Sequence, residues 1–121
     1  MNQKKQIRAQ FRRAVFERDR YRCAKCGRPG KDRQGGDEWK KFHKTEPEAF
    51  LDAHHITDRS QIINQGYVKE NGISLCDDCH IKAEAYWSTG ITEQDFTPEA
   101  LYAIIGSSAE LARKCSALIG L

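Results

Sequence analysis

Two Cys-x-x-Cys pairs constrain the fold of this chain more than any other feature of its sequence. Cys23 pairs with Cys26 and Cys76 with Cys79, and 49 residues separate the two pairs. Two thiolates at this spacing can bind one ion from a tight turn, and two such turns complete a tetrahedral zinc site. Thioredoxin-type redox chemistry fits less well, because it needs one pair in a βαβ setting. The sequence therefore predicts a structural zinc ion that joins two distant turns.

Length and composition indicate one small globular domain over residues 1–121. Hydrophobic residues make up 39% of the chain and charged residues 31%, which is typical of a folded rather than a disordered protein. A domain of this size has a limited core, so a bound metal would add to its stability. No apolar run could span a bilayer, and no apolar block follows the basic N-terminus. We therefore expect no membrane partner and a cytoplasmic location, where thiols stay reduced.

Positive charge is concentrated in the first 33 residues. They hold twelve Lys or Arg against three acidic residues, a balance of +9, whereas the net charge of the chain is only +3. A basic segment on an acidic body suggests a polyanionic partner, most simply nucleic acid. A solvated helix face is the alternative for any such run. Arg22, Lys25 and Arg28 could also merely offset the negative charge of a zinc ion with four thiolates.

Apolar spacing predicts a helix at each end of a central core. Ile7, Phe11 and Val15 form one stripe of a basic helix over about 3–18. The core would occupy about 19–90 and begin with a turn and a loop. We expect extended segments at 38–42 and 48–56, a connection at 57–72, an apolar run at 73–76 and a helix from about 76.

Capping signals predict two more helices over about 97–119. Thr97 followed by Pro98 is a typical helix start, and Gly106 fits the end of that helix. Ser107 with Glu110 would form a capping box for the next helix. On that helix, Leu111, Cys115 and Leu118 would form the apolar stripe, which makes Cys115 a small core residue.

The chain has only four histidines, and two of them, His54 and His55, are adjacent. Both lie in the long loop between the cysteine pairs. His80 directly follows Cys79, so a zinc ion there would fix the start of the helix that carries His80. The zinc site could thus bring the three histidines together. His43 lies among charged residues and reads as a surface residue.

The stretches "DAHHI" and "NGISLCDDCH", framed by the two cysteine pairs, resemble the HNH endonuclease family over about residues 8–84. The resemblance implies an α+β fold: a ββα-metal HNH core stapled by a four-cysteine zinc site, with flanking N- and C-terminal helices. It also implies metal-dependent hydrolysis of DNA phosphodiester bonds, which leaves 5′-phosphate and 3′-hydroxyl ends.

The same resemblance implies a role for each site residue. His54 and His80 would bind the catalytic Mg²⁺ or Mn²⁺, His55 would be the general base, and Asn71 would brace the loop that holds it. A neutral imidazole, with an ordinary pKa of about 6.5, can accept the proton of water at cellular pH. Glu84 stands where many relatives carry His or Lys, and it is either a third ligand or an exposed helix residue.

Double-stranded DNA is the expected partner, and the candidate phosphate contacts are Arg8, Arg12, Arg13 and Arg59. The rival hypothesis is a non-catalytic zinc module that binds DNA or a protein. A homodimer and a role in phage packaging or recombination stay open. The insertion at 31–50 could shape substrate choice or pack on the helices. Asp52 could accept a hydrogen bond from a ligand histidine or face solvent, whereas Trp39, Tyr86 and Trp87 read as core residues.

Overall fold

A three-stranded sheet and the helix that follows it form the centre of the computed structural model, which describes residues 3–119. The strands are β1 (Gly30–Asp32), β2 (Ala49–His55) and β3 (Gly72–Cys76), in the order β1-β2-β3. β1 runs parallel to β2, and β2 runs antiparallel to β3, with His54 opposite Ile73 and His55 opposite Gly72.

The described residues also form four α-helices: α1 (Gln3–Arg18), α2 (Asp77–Thr89), α3 (Pro98–Ile105) and α4 (Ala109–Ala117). α2 begins directly after β3, so β2, β3 and α2 form a ββα unit. Together with the four-cysteine cluster described below, this arrangement confirms the predicted α+β fold class. No helix among residues 3–119 is long and apolar enough to cross a membrane.

One hydrophobic cluster connects the sheet to helices at both ends of the chain. It includes Phe16 of α1, Leu51 of β2, Leu75 of β3, Leu101 of α3 and Ala112 of α4. The C-terminal helices therefore share the core of the ββα unit. The predicted single domain over 1–121 also covers positions 1–2 and 120–121, which lie outside the described residues, and it stays a prediction.

α1 packs against β3 where that strand has no side chain. Phe11 and Val15 of α1 are buried, as predicted, and so is Phe16, which lies outside the predicted stripe. A Cβ atom at Gly72 would collide with Val15 and Phe11, so this close approach requires glycine. Arg18 fixes the end of α1 by donating to the carbonyls of Lys69 at 2.6 Å and Gly72 at 2.7 Å.

The insertion folds differently from the prediction of extended structure at 38–42. Glu38–Lys41 is a 3-10 helix that places Trp39 in the core. β1 itself was expected to be loop, because three polar or small residues give no strand pattern. Its pairing depends on a distant partner, β2. His43 is half-buried rather than superficial, since its Nε2 lies 2.8 Å from the carbonyl oxygen of Tyr21.

The C-terminal helices begin and end mostly as predicted. The Thr97 hydroxyl accepts from the amide of Ala100, and Gly106 ends α3 with a φ of 69°. The cap of α4 is Ser108 rather than Ser107: Ser108 accepts from the amide of Leu111, while the hydroxyl of Ser107 donates to the carbonyl of Glu70.

The predicted apolar stripe of α4 is wrong. Leu111 is 42% exposed and Leu118 is 86% exposed, and Cys115 is only half-buried. The inward face carries Ala112 and Ser116 instead. The hydroxyl of Ser116 bonds the backbone of the 3-10 segment Ile63–Gly66, and small residues allow this close contact.

Candidate metal centres and active site

The four cysteines of the two pairs meet at one point. The Sγ atoms of Cys23, Cys26, Cys76 and Cys79 all lie within 4.8 Å of one another, and Cys26 Sγ is 3.8 Å from Cys76 Sγ. Four sulfurs that bind one zinc ion at about 2.3 Å in a tetrahedron lie about 3.8 Å apart. All four cysteines are free of disulfides. This four-cysteine cluster therefore fits zinc in donor type, number and spacing.

Backbone hydrogen bonds shape the first turn of the four-cysteine cluster. The amide of Gly27 donates to the carbonyl of Cys23 at 2.8 Å, and Gly27 takes a φ of 81° that favours glycine. The amide of Ala24 donates to the carbonyl of Ser74 at 2.8 Å, which attaches this turn to β3. Cys76 and Cys79 flank the start of α2, so the cluster joins the turn, the strand and the helix.

His54, His80 and Glu84 form a second group that could hold a metal ion. Their ligand atoms also lie within 4.8 Å of one another. Glu84 Oε1 is 3.3 Å from both His54 Nδ1 and His80 Nε2. Metal bonds of about 2.1 Å place neighbouring ligand atoms about 3 Å apart. The spacing of this His–His–Glu cluster therefore suits a small divalent ion.

The surroundings of His54 support the same interpretation. The residue is 2% exposed, yet neither ring nitrogen has a hydrogen-bond partner of suitable geometry among the described residues. A buried polar group without a partner is costly, and a bound metal ion would supply one. Burial lowers the pKa of His54 despite the nearby Glu84 carboxylate. The ring is thus neutral at physiological pH, which is the form that binds metals.

Carboxylates hold His80 from two sides. Asp52 Oδ2 lies 3.4 Å from His80 Nδ1, and Arg33 donates to Asp52 at 3.1 Å. The contact with His80, reinforced by Arg33, lowers the pKa of Asp52 to about 2. Burial lowers the pKa of His80, but Asp52 and Glu84 together outweigh that effect and raise it. A carboxylate behind an imidazole is typical of metal-binding histidines, because it fixes the ring.

Glu84 is ionised in this setting. Its contacts with His54 and His80 lower its pKa to about 2, although partial burial opposes the change. An ionised carboxylate is a good ligand for Mg²⁺ or Mn²⁺. Of the two alternatives open from the sequence, the ligand role is the one that this geometry favours.

His55 points away from His54, as successive side chains on a strand do. Its ring lies 4.6 Å from that of Phe11 in α1 and 4.8 Å from that of Tyr67. His55 Nε2 is buried and has no hydrogen-bond partner among the described residues. Burial lowers the pKa of His55 to about 4, and the Arg59 charge adds to that shift. The ring is therefore neutral at pH 7 and able to accept a proton.

Asn71 holds the chain that directly follows His55. Its backbone carbonyl accepts from the amide of Ile56 at 2.8 Å, and its Oδ1 accepts from the amide of Thr57 at 2.9 Å. Its Nδ2 donates back to the carbonyl of Thr57 at 3.1 Å. Asn71 is fully buried. This side chain therefore fixes the exit of β2 rather than facing the open site.

The histidines and Glu84 line one open pocket of about 400 Å³, together with Arg12, Asp52, Ala53, Asp58 and Arg59. A neighbouring pocket of about 350 Å³ shares Asp58 and Arg59 and adds Arg8. Arg13 lines neither pocket and lies 3.9 Å from Glu38. Three of the four candidate arginines thus lie beside the candidate site, although Arg12 is also paired with Asp32 at 3.2 Å.

Cations near the first cysteine pair are engaged within the chain. Arg22 donates to the carbonyl of Gly27 at 3.1 Å, and Arg28 lies 3.8 Å from Asp78. Lys25 lies 5.0 Å from the ring of Phe96. These three residues therefore contribute to the packing around the four-cysteine cluster.

The sequence did not predict the residues that pack against His55 or line the pocket beside it. Phe11 was visible only as a core residue, and Tyr67 and Asp58 gave no signal at all. Trp87, expected in the core, is half-buried, and its Nε1 donates to the carbonyl of Ile56 at 3.1 Å. Tyr86 is half-buried as well.

One family model, described as HNH endonuclease, matches residues 23–85. The match covers slightly more than half of the chain and spans both candidate metal clusters, His55 and Asn71. The comparison with curated proteins finds no match, and neither does the comparison with solved structures.

Proposed function

The chain belongs to the HNH endonuclease family, and on that premise we propose that it is a metal-dependent endonuclease that hydrolyses phosphodiester bonds in double-stranded DNA. One observation carries the proposal. The His–His–Glu cluster and the neutral imidazole of His55 line the same open pocket. A ligand set beside a proton acceptor is what hydrolysis of a phosphodiester requires.

In this proposal the His–His–Glu cluster holds one Mg²⁺ or Mn²⁺. The buried ring nitrogens of His54, which make no hydrogen bond of suitable geometry among the described residues, and the ionised Glu84 support this assignment. Such an ion, when bound, polarises the phosphate and stabilises the charge that develops on the leaving oxygen. The four-cysteine cluster holds a structural zinc ion, which fits its closed shell of four thiolates.

His55 acts as the general base. A water molecule attacks the scissile phosphorus and gives its proton to the neutral ring of His55, which lines the pocket. The bond between phosphorus and the 3′-oxygen breaks, and that oxygen takes a proton from solvent. The products are a 5′-phosphate and a 3′-hydroxyl. The rings of Phe11 and Tyr67, which also contact each other, pack against the ring of His55, so the base needs little reorganisation.

Arg59, Arg12 and Arg8 would bind the phosphates next to the scissile one. Their support is their position around the two adjoining pockets. Arg13, which pairs with Glu38 away from these pockets, would contribute least. Binding that rests on such contacts weakens steeply as salt increases.

Plasmid cleavage tests the proposal. Purified zinc-loaded protein with Mg²⁺ or Mn²⁺ should nick supercoiled DNA, and His55→Ala should abolish nicking. His43→Gln is the control, since His43 lies outside the pocket. Equal nicking by the wild type and His55→Ala would refute the role of His55. No cleavage by the wild type with either metal would refute the activity.

A metal titration separates this proposal from a non-catalytic zinc module. The endonuclease should bind one Mn²⁺ besides its zinc, and the rival should bind zinc alone. One HNH site cuts one strand, so cutting both strands would need a homodimer or two binding events. Native mass measurement tests the homodimer. The cytoplasmic location and a phage packaging or recombination role stay predictions.

A further inference from the structure

We propose that Tyr102, on α3 and outside the matched residues, is a positioning residue for DNA cleavage that acts through Asn71. The inference rests on the proposed function. Its basis is a buried hydrogen-bond network that connects a C-terminal helix to the exit of the strand carrying His54 and His55. Nothing in the sequence pattern points to this connection.

The network consists of three side chains with almost no solvent exposure. The hydroxyl of Tyr102 donates to Asn71 Oδ1 at 2.7 Å, and the hydroxyl of Thr57 donates to that of Tyr102 at 2.6 Å. Tyr102 is 3% exposed, and Thr57 and Asn71 are also buried. Hydrogen bonds in such a setting are costly to break, because water cannot replace the lost partner.

Tyr102 completes the bonding of the Asn71 amide. Oδ1 accepts from Thr57 and Tyr102, while Nδ2 donates to the carbonyls of Thr57 and Gly66. A rotated amide would turn its NH₂ group towards both donors. The tyrosine hydroxyl therefore helps to hold Asn71 in the one orientation that clasps Thr57 on both its amide and its carbonyl.

The clasped segment carries the groups that the reaction uses. Ile56 and Thr57 directly follow His55, and Arg59 comes two residues later. The carbonyl of Ile56 also accepts from Trp87 of α2. α3 thus braces, through Tyr102 and Asn71, the short path between the proposed base and a proposed phosphate contact. Loosening that path would misplace His55 without removing any group that touches DNA.

Tyr102→Phe tests the hydroxyl alone, because the ring and its packing remain. Tyr86→Phe is the matched control. Tyr86 and Tyr102 line one cavity of about 460 Å³, but the hydroxyl of Tyr86 makes no hydrogen bond among the described residues. For Tyr102→Phe we expect kcat on a DNA duplex to fall about tenfold, with KM within twofold and an unchanged Mn²⁺ affinity. Tyr86→Phe should match the wild type.

Two results would overturn the proposal. One is an unchanged kcat in Tyr102→Phe, and the other is a loss that matches only a decrease in the folded fraction measured by thermal unfolding. A double-mutant cycle gives the sharper test: in an Asn71→Ala background, Tyr102→Phe should cost nothing further. Independent, multiplying losses would show that Tyr102 does not act through Asn71.

NMR spectroscopy tests the network even if the Asn71→Ala variant does not fold or the wild type does not cleave DNA. In amide NMR spectra, Tyr102→Phe should shift the resonances of Ile56, Thr57 and Arg59 and leave those of the four-cysteine cluster unchanged. Unmoved resonances after His55 would refute the positioning role. Shifted resonances in a protein without cleavage activity would refute the proposed function and support the network.

Discussion

The two candidate metal clusters differ, although adjacent residues of the same helix belong to them. Cys79 and His80 are adjacent in α2, yet Cys79 belongs to the four-cysteine cluster and His80 to the His–His–Glu cluster. Three of the four cysteines are buried. In contrast, His80 is partly exposed and the side chain of Glu84 is 52% exposed beside an open pocket.

Under the proposed function, this difference gives the four-cysteine cluster a structural role and the His–His–Glu cluster a chemical role, although the same short helix contributes to both. Four thiolates fill the coordination of zinc and leave no position for a substrate. Two imidazoles and one carboxylate leave positions for water and phosphate oxygens. The four-cysteine cluster also fixes the start of α2. It thereby determines the positions of His80 and Glu84, which lie one turn apart on that helix.

Loss of a ligand from the four-cysteine cluster should have the largest effect, because it should prevent folding. Cys76→Ser removes a buried thiolate, and structural zinc sites contribute about 10 kcal/mol or more to folding. Because small domains have a free energy of unfolding of about 5–15 kcal/mol, we expect no cooperative fold. Circular dichroism and zinc content measure this. Cys115→Ser, outside the cluster, should retain both, and a cooperative transition in Cys76→Ser would contradict the assignment.

Loss of a ligand from the His–His–Glu cluster should strongly reduce cleavage and preserve the fold. His80→Ala removes a partly exposed proposed ligand, so the free energy of unfolding should change by about 1 kcal/mol or less. Cleavage should fall by about a hundredfold or more, because the metal loses one of its few protein ligands. Plasmid nicking and thermal unfolding check the two halves. Unfolding of His80→Ala would show that the clusters are not separate in role.

Asp52→Asn should have an intermediate effect, which is to weaken metal binding by the His–His–Glu cluster. The amide keeps the size of the carboxylate but loses the charge that holds His80. Partners of this kind affect metal affinity by about ten- to a hundredfold. Mn²⁺ titration should therefore show about tenfold weaker binding, with zinc content unchanged. Equal Mn²⁺ affinity in Asp52→Asn and the wild type would remove Asp52 from the site.

Glu84→His should have the smallest effect on rate and a clear effect on metal choice. An imidazole in place of a carboxylate favours Ni²⁺, Co²⁺ or Zn²⁺ over Mg²⁺. We expect cleavage within about tenfold of the wild type with the best ion and a shifted order of ions. Nicking assays across a divalent series would show an unchanged order if Glu84 is not a ligand.

The sequence predicted those parts of the molecule that depend on residue type and local spacing. The cysteine pairs, α1 and the start of α3 follow from such patterns, and the structure agrees. β1 could not be predicted, because its pairing with β2 comes from a partner 19 positions away. The inward face of α4 was misread, since polar bonds from Ser116 to the backbone at 63–66 outweigh apolar periodicity.

The same limit applies to the candidate site. The spacing of the histidines indicated their association, but the partners that orient them come from distant segments. Asp52 sits two residues before His54 and yet contacts His80. Tyr102 reaches Asn71 from 31 residues away. Such contacts depend on packing directions that no single stretch of sequence encodes.

Gly72 has a consequence for the ring of His55. It is the residue directly across from His55 in the antiparallel pair, and its missing side chain leaves the niche that Phe11 fills. A single methyl group at position 72 would displace Phe11, and the imidazole of His55 would lose its packing against that ring. The lack of a Cβ atom at Gly72 of β3 thus determines how closely α1 packs around the ring of His55 on β2.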